Sequence, residues 1–245
     1  FFSTYSGGYG DVGKDLIVNT TYSACIVTGA SYNSGFTSDM VVVSFNMNSG
    51  AQNWVNGYDH PYGSNDAGIK IATKSNNCTV TSAVTVGTNQ YKLVTTSYTV
   101  STGWGTGTLT AGATATSSVE IVSDLFQDAS GNIYLCGATQ QNAGQGYDMY
   151  IAKVTSSLTI AWEQTINGFS GSSLDDLGKG IQVDNSGNVY VTGVTTHSTQ
   201  GKNITTVKLN SSGTVQWTKN INGTFNGNDG GADLALDASN NIYVT

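Results

Sequence analysis

One pattern returns about every 54 residues along this chain, and it leaves few folds open. It is clearest in residues 165–219. There the order is Thr165-Ile-Asn-Gly-Phe169, Asp176-Leu-Gly-Lys-Gly-Ile-Gln-Val-Asp184, the turn Asn185-Ser-Gly-Asn188 and Val189-Tyr-Val-Thr-Gly193. Then come Asn203-Ile-Thr-Thr-Val-Lys-Leu209, the turn Asn210-Ser-Ser-Gly213, and Thr214-Val-Gln-Trp217. Alternation and β-branched residues mark four short strands, Gly180 to Asp184, Val189 to Val194, Asn203 to Leu209 and Thr214 to Ile221. The Asn/Ser/Gly clusters between them are hairpin turns.

The hairpin recurs as Asp128-Ala-Ser-Gly-Asn-Ile-Tyr-Leu-Cys-Gly137 and as Asp237-Ala-Ser-Asn-Asn-Ile-Tyr-Val-Thr245. Weaker copies lie at Asn19 to Gly29 and Lys74 to Ser82. The second strand of each repeat ends at Thr28, Thr81, Cys136, Thr192 and Thr245, spaced by about 53 to 56 residues, the range of propeller and array repeats. Trp54, Trp162 and Trp217 share one place in the fourth strand, with Phe1 at the matching place. In the second repeat that place falls near Thr108, so Trp104 is out of register.

Four antiparallel strands per repeat do not make a stable domain alone. Arranged around an axis, such sheets bury both faces and leave only short edges. No segment has a sustained 3.6-residue apolar period, which excludes helical solenoids. A β-helix needs shorter repeats, and about 54 residues is small for one sandwich. The expectation is an all-β propeller of four-stranded antiparallel blades, a single region over 1–245. Its repeats are 1–54, 55–108, 109–164, 165–219 and a partial 220–245.

The string Asp-x-Ser-Gly-Asn-Val/Ile-Tyr-Val-Thr-Gly, followed by Lys-Leu-Asn-x-x-Gly-x-x-x-Trp and Asn-Gly, resembles the seven-bladed β-propeller repeats called SBBP repeats. Phe2-Ser-Thr-Tyr-Ser-Gly-Gly with Asp11 is similar to the opening of such a run. The resemblance implies secreted or cell-surface bacterial proteins and carries no settled activity or catalytic motif. The fifth repeat stops inside its second strand, and the first begins with a lone fourth strand. This reads as part of a longer protein with an incomplete propeller.

Composition narrows the partners. Only 10% of residues are charged, net charge is −7, and all nine basic residues are lysines. Without arginine, a nucleic-acid partner is not expected. No apolar run has the length of a membrane span, so no membrane insertion is expected. Solubility carried by neutral polar side chains suggests an extracellular surface, with a protein or glycan partner and possible protein assembly.

An acid precedes the first strand in every repeat, at Asp11, Asp66, Glu120, Asp176 and Asp229, with Gly two residues later at Gly13, Gly68, Gly178 and Gly231. The third repeat departs, with Val122 at the glycine place. At the mouth of a propeller channel these carboxylates are candidate metal ligands for Ca²⁺. The preferred reading is structural, each side chain accepting backbone N–H bonds in a tight Asp-x-Gly turn, since one acid per repeat is what a repeated turn gives. No other cofactor is expected. The Asp184-Asn-Ser-Gly-Asn188 loops lack the ligand alternation of an EF-hand and read as hairpin turns.

Cys25 and Cys78 align with Ile133, Val189 and Ile242, an apolar core place, and are expected to be buried, unbridged thiols. Cys136 aligns with threonines. No cysteine has a nearby histidine that makes it a nucleophile or zinc ligand. His60 lies in the insertion Tyr58-Asp-His-Pro-Tyr62, read as an ordinary loop whose aromatics also suit a sugar or protein contact. Sequons at Asn19, Asn77, Asn203, Asn210 and Asn222 permit glycosylation.

The repeat consists of turn and core residues with no catalytic set. The leading expectation is therefore a non-enzymatic surface scaffold or adhesion module with no catalytic residue. The alternatives are a propeller-class carbohydrate-active enzyme, lyase or glycosidase, using carboxylates at the channel mouth, and a calcium-stabilised component of a surface layer or filament.

Overall fold

Turn chemistry sets the strand order. In the turns after Asp128, Asp184 and Asp237 the carboxylate accepts the N–H of the residues two and four positions on, at 2.8 to 2.9 Å. The chain thus reverses within four residues and returns as the neighbouring strand. The computed structural model describes residues 10–32, 37–58, 67–87, 90–111, 120–140, 146–168, 174–224 and 227–245. Side chains of 83–93 and 106–120 lie outside that description. All elements among the described residues are β-strands. The proposed strand at Phe1 to Tyr5, the insertion around His60, and Asp66 lie outside the described residues.

The chain divides into two compact units, 1–112 and 113–245. The first unit holds two blades. One is β1 (Asp11–Asn19), β2 (Ala24–Tyr32), β3 (Ser38–Asn46) and β4 (Gln52–Tyr58). The other is β5 (Ala67–Lys74), β6 (Asn77–Gly87), β7 (Gln90–Thr99) and β8 (Gly105–Ala111). The second unit holds β9 (Glu120–Gln127), β10 (Ile133–Thr139), β11 (Asp148–Val154) and β12 (Ile160–Ile166). It continues with β13 (Leu177–Val183), β14 (Val189–His197), β15 (Gly201–Leu209) and β16 (Val215–Ile221). The pair β17 (Leu234–Leu236) and β18 (Ile242–Val244) follows.

Each four-stranded sheet is an antiparallel meander in sequence order. First strands lie beside one another within each unit, β1 by β5, β9 by β13 and β13 by β17, which makes the first strand the inner one. Trp54, Trp162 and Trp217 fall in fourth strands, and Trp104 precedes β8.

Period-2 alternation builds the cores. In the first unit Ile26, Met40 and Val42 of one blade meet Ile71, Cys78 and Val80 of the next. In the second, Tyr134, Cys136, Met149 and Ile151 meet Ile181, Val189, Val191, Val207 and Leu209. Each fully buried side chain of this kind contributes about 1.5–3 kcal/mol. Cys78 is buried as expected, and burial pushes its thiol up to about 12. Cys25, in the same place on the first blade, is only half-buried, and all three thiols are unbridged. Asn19 and Asn203 are buried, and the Asn19 amide donates to Thr73 Oγ1 and the Ser75 carbonyl at 2.8 Å, so these two sequons are closed to modification.

The acid-x-glycine segment differs from the tight turn expected. Leu177 and Gly178 already belong to β13, which starts before Gly180, and a β-bulge follows at Gly178/Gly180. The same bulge lies at Gly13/Asp15 and Gly68/Lys70. The glycine serves close approach rather than a left-handed backbone. A Cβ on Gly68 would come within 1.9 Å of Thr28 Oγ1, one on Gly178 within 3.1 Å of Cys136 Cβ, and one on Gly231 within 2.4 Å of Thr192 Oγ1. Thr28, Cys136 and Thr192, which share one place in the second strand, thus pack against the glycine at the start of the following repeat.

Candidate functional site

The inner strands begin where the second-to-third-strand loop and the chain entering a blade meet, so this end gathers the predicted acids. Asp176 is 2% exposed. Its Oδ2 accepts the Gly168 N–H and its Oδ1 the Thr196 N–H, both at 2.7 Å. The carboxylate ties the incoming chain to the end of β14, not to its own turn. Asp229 repeats half of this, its Oδ2 accepting the Gly223 N–H at 2.7 Å. Asp11 opens β1, and Glu120 opens β9, with its side chain outside the description. Among the described residues no three His, Cys, Asp or Glu groups come together to hold a metal ion.

Beside Asp176 stand two acids that the repeat pattern did not single out, Asp148 and Asp175. The Asp176 N–H donates to the Tyr147 carbonyl at 2.6 Å, and the Tyr147 N–H donates to Asp175 Oδ1 at 3.0 Å. This backbone clasp holds Asp148, the next residue and the first of β11, within reach of the charge of the buried Asp176. Burial and the Asp176 charge push the Asp148 carboxyl above the usual carboxylate range. Burial likewise raises Asp176, against the lowering effect of its two N–H donors, with Asp175 adding to the rise. Both carboxyls are shifted upward mainly by burial, Asp148 further by the Asp176 charge and Asp176 by that of Asp175. A carboxyl raised in this way suits proton transfer. Alignment on the strand pairs places Asp39 and Asn203 where Asp148 stands, so the next blade has an amide in place of this acid. The second blade has Lys92 there, so the series Asp/Lys/Asp/Asn was the available signal.

Another acid recurs four residues after the first, at Asp15, Asp124 and Asp233. Asp15 Oδ2 accepts the Ile71 N–H at 3.1 Å, and Asp124 Oδ2 accepts the Ile181 N–H at 3.0 Å. These latch one inner strand to the next. His197, at the end of β14, is engaged locally, its Nδ1 accepting the Thr199 N–H at 3.1 Å.

Among the described residues of the first unit, two cavities bear on the site. One, of about 270 Å³, has Asp11 in a wall otherwise formed by side chains such as Val27, Val41, Val43 and Phe45. The equivalent places in the fourth blade, Val191, Val207 and Leu209, pack on the blade before it. This is a blade-packing face. The other, of about 310 Å³, lies by Trp54 and Trp104.

Residues 169–199 match the family model SBBP, a beta-propeller repeat. The resemblance read from the hairpin signature holds there. No curated protein matches the chain. Among solved structures, a polysaccharide lyase described as PL25 ulvan lyase superposes with a TM-score of 0.62 at 10% identity. The match covers 85% of this chain and 56% of that one. A europium-containing methanol dehydrogenase superposes with a TM-score of 0.54 at 8% identity, covering 87% of this chain and 44% of that one. This chain therefore spans about half the length of either protein.

The fold is that of β-propeller blades. The expectation of a non-enzymatic scaffold is corrected by these comparisons, since both structures are enzymes. The physical reason is that the repeat signature records only turn and core places. A catalytic group carried on a loop leaves no mark on it.

Proposed function

We propose that this protein is a propeller-class carbohydrate-active enzyme, a lyase or glycosidase that cleaves a polysaccharide outside the cell. The observation that carries the reading is the backbone bond from the buried Asp176 to Tyr147, which sets the neighbouring Asp148 within reach of the Asp176 charge at the loop end of the inner strands. Its likeness in fold to a polysaccharide lyase supports it.

Asp176, gripped by two N–H donors, is the fixed partner. Asp148, half-exposed at the start of β11, is the group that reaches substrate. Its raised pKa keeps a proton available for the glycosidic oxygen as the C–O bond breaks. That step is shared by two reactions. In elimination the C5 proton of a uronate passes to solvent, its electron pair forms the C4=C5 double bond and the C4–O bond breaks. In hydrolysis water adds to the anomeric carbon, the C1–O bond breaks and the water's proton passes to solvent. A chain with only 10% charged residues and abundant Ser, Thr and Asn suits glycan contact through hydroxyls and amides.

The test is incubation with a panel of uronate-bearing and neutral polysaccharides, reading new reducing ends and ultraviolet absorbance of unsaturated product. Both signals together indicate a lyase, and reducing ends alone a glycosidase. Asp148→Asn is expected to lower the rate at least 100-fold with unchanged thermal unfolding. No cleavage by the native protein, or full activity in Asp148→Asn, would overturn the reading.

A further inference from the structure

We infer a second, non-catalytic carbohydrate-binding site on the first unit, where Trp104 and Trp54 wall a cavity of about 310 Å³ that takes a neutral sugar ring. Trp104 is 76% exposed, the most exposed large apolar side chain among the described residues. Its backbone does what the repeat requires, its carbonyl accepting the Thr99 N–H. Ala51, Thr159 and Thr214 do the same for Asn46, Thr155 and Asn210. The indole is therefore an addition to the repeat, at a place where the other blades carry alanine or threonine.

Trp54 forms the fixed wall. Its Nε1–H donates to the Val100 carbonyl at 2.7 Å, and its ring lies on Gly103. Asn56, whose amide donates to the Gly103 carbonyl, and Thr102 line the same cavity. No charged side chain lines it. Recognition by ion pairing is thus unavailable, and what remains is an indole face beside amide and hydroxyl groups. An indole matches the C–H face of a pyranose or furanose, and the polar groups match its hydroxyls. The volume lies near the lower bound of small-molecule sites, about 300 Å³, which suits one or two sugar rings. The same seam in the second unit pairs Trp162 with Gly213 but has Thr214 beside it, so it lacks the second ring.

The site is built from residues of the first unit alone, whereas Asp148 belongs to the second, and it does not depend on the enzymatic reading. Its test is affinity electrophoresis and calorimetric titration of the whole chain with neutral glycans, among them galactan, arabinan, xylan and mannan. Trp104→Thr, which installs the residue of the other blades, is expected to weaken binding at least 10-fold with unchanged unfolding. Asp148→Asn is expected to bind as the native protein does. Absence of neutral-glycan binding, or equal binding by Trp104→Thr, would overturn the inference. So would a loss of self-association, rather than of glycan binding, in Trp104→Thr. Loss confined to Asp148→Asn would likewise overturn it by assigning the glycan to the other site. Binding lost in Trp104→Thr by a protein that cleaves nothing would uphold this site while overturning the proposed activity.

Discussion

The indole of Trp162, in the fourth strand of one blade, lies against Gly213 in the third turn of the next, where an added Cβ would come within 2.6 Å of the ring. Trp162 Nε1–H donates to the Ser211 carbonyl of that turn at 3.2 Å. Trp54 and Gly103 repeat the contact in the first unit, at 2.7 Å. The repeated Trp and the repeated turn Gly are thus two halves of one contact between blades.

Gly213 has φ of +83°, so alanine there meets both backbone strain and the indole. Gly213→Ala is expected to destabilise by more than about 1 kcal/mol, measured by chemical denaturation. A loss under half of that would show that the turn relaxes away from Trp162.

Three glycines of the inner hairpins rank by what faces them. A Cβ on Gly193 would stand 1.9 Å from the Leu177 carbonyl oxygen, one on Gly178 3.1 Å from Cys136 Cβ, and one on Gly13 3.6 Å from Val27. Alanine at Gly193 is expected to cost about 1–3 kcal/mol, the range for overpacking. Gly178→Ala should cost less, and Gly13→Ala should be close to neutral. Unfolding curves that reverse this order would refute the close-approach account. The second blade carries Ser82 at the place of Gly193, so its bulge is spaced to admit a side chain.

Acid weakens the hairpins. At Asp184 burial opposes the charge, but the Asn188 amide, the Asn188 N–H, the Tyr190 hydroxyl and the Ser186 N–H outweigh it and hold the carboxyl below the usual range. Asp128 is held down in the same way. A folded pKa below the unfolded one contributes stability above about pH 3.9 that is lost as pH falls through the folded value. Asp148 and Asp176 act with the opposite sign, their effect most favourable at low pH and fading as pH rises through their raised values. Denaturation between neutral pH and pH 3 should show a falling stability that is shallower in Asp184→Ala. That variant should also lose about 1 kcal/mol at neutral pH. An unchanged slope would mean the turn carboxylates are not linked to folding.

The thiols should react unequally. Cys78 and Cys136 have no exposed surface, whereas Cys25 is half-buried. Native protein is expected to label at Cys25 first and to expose the other two only on denaturation. Mass mapping of a thiol reagent checks this, and fast native labelling of Cys78 would contradict its core placement.

The four-strand period, the hairpin turns and the core faces were legible because they rest on local rules. An Asx turn, a period-2 stripe and a β-branched run each act within a few residues. The signature Asp-x-Ser-Gly-Asn-x-Tyr with its later Lys and Trp has a physical meaning the string alone did not show. In the second unit Tyr134 and Tyr190 send their hydroxyls to Asp128 and Asp184, carry Lys153 and Lys208 over their faces at 5.0 and 5.1 Å, and meet Trp162 and Trp217.

What the local rules did not contain was which residues meet across blades. The partner of Gly178 is Cys136, 42 residues earlier in the chain, and that of Ile181 is Asp124, 57 residues away. Asp148 reads as one polar residue at a strand end. Its carboxyl is raised by burial first and then by the charge of Asp176, which the clasp through Tyr147 holds nearby and whose own burial depends on two separate loops. Proximity between blades follows from how sheets pack face to face, and no window of a few residues encodes it. Strand, turn and repeat were therefore properties of the sequence, while the contacts between blades and the burial of Asp176 were decided by the tertiary structure.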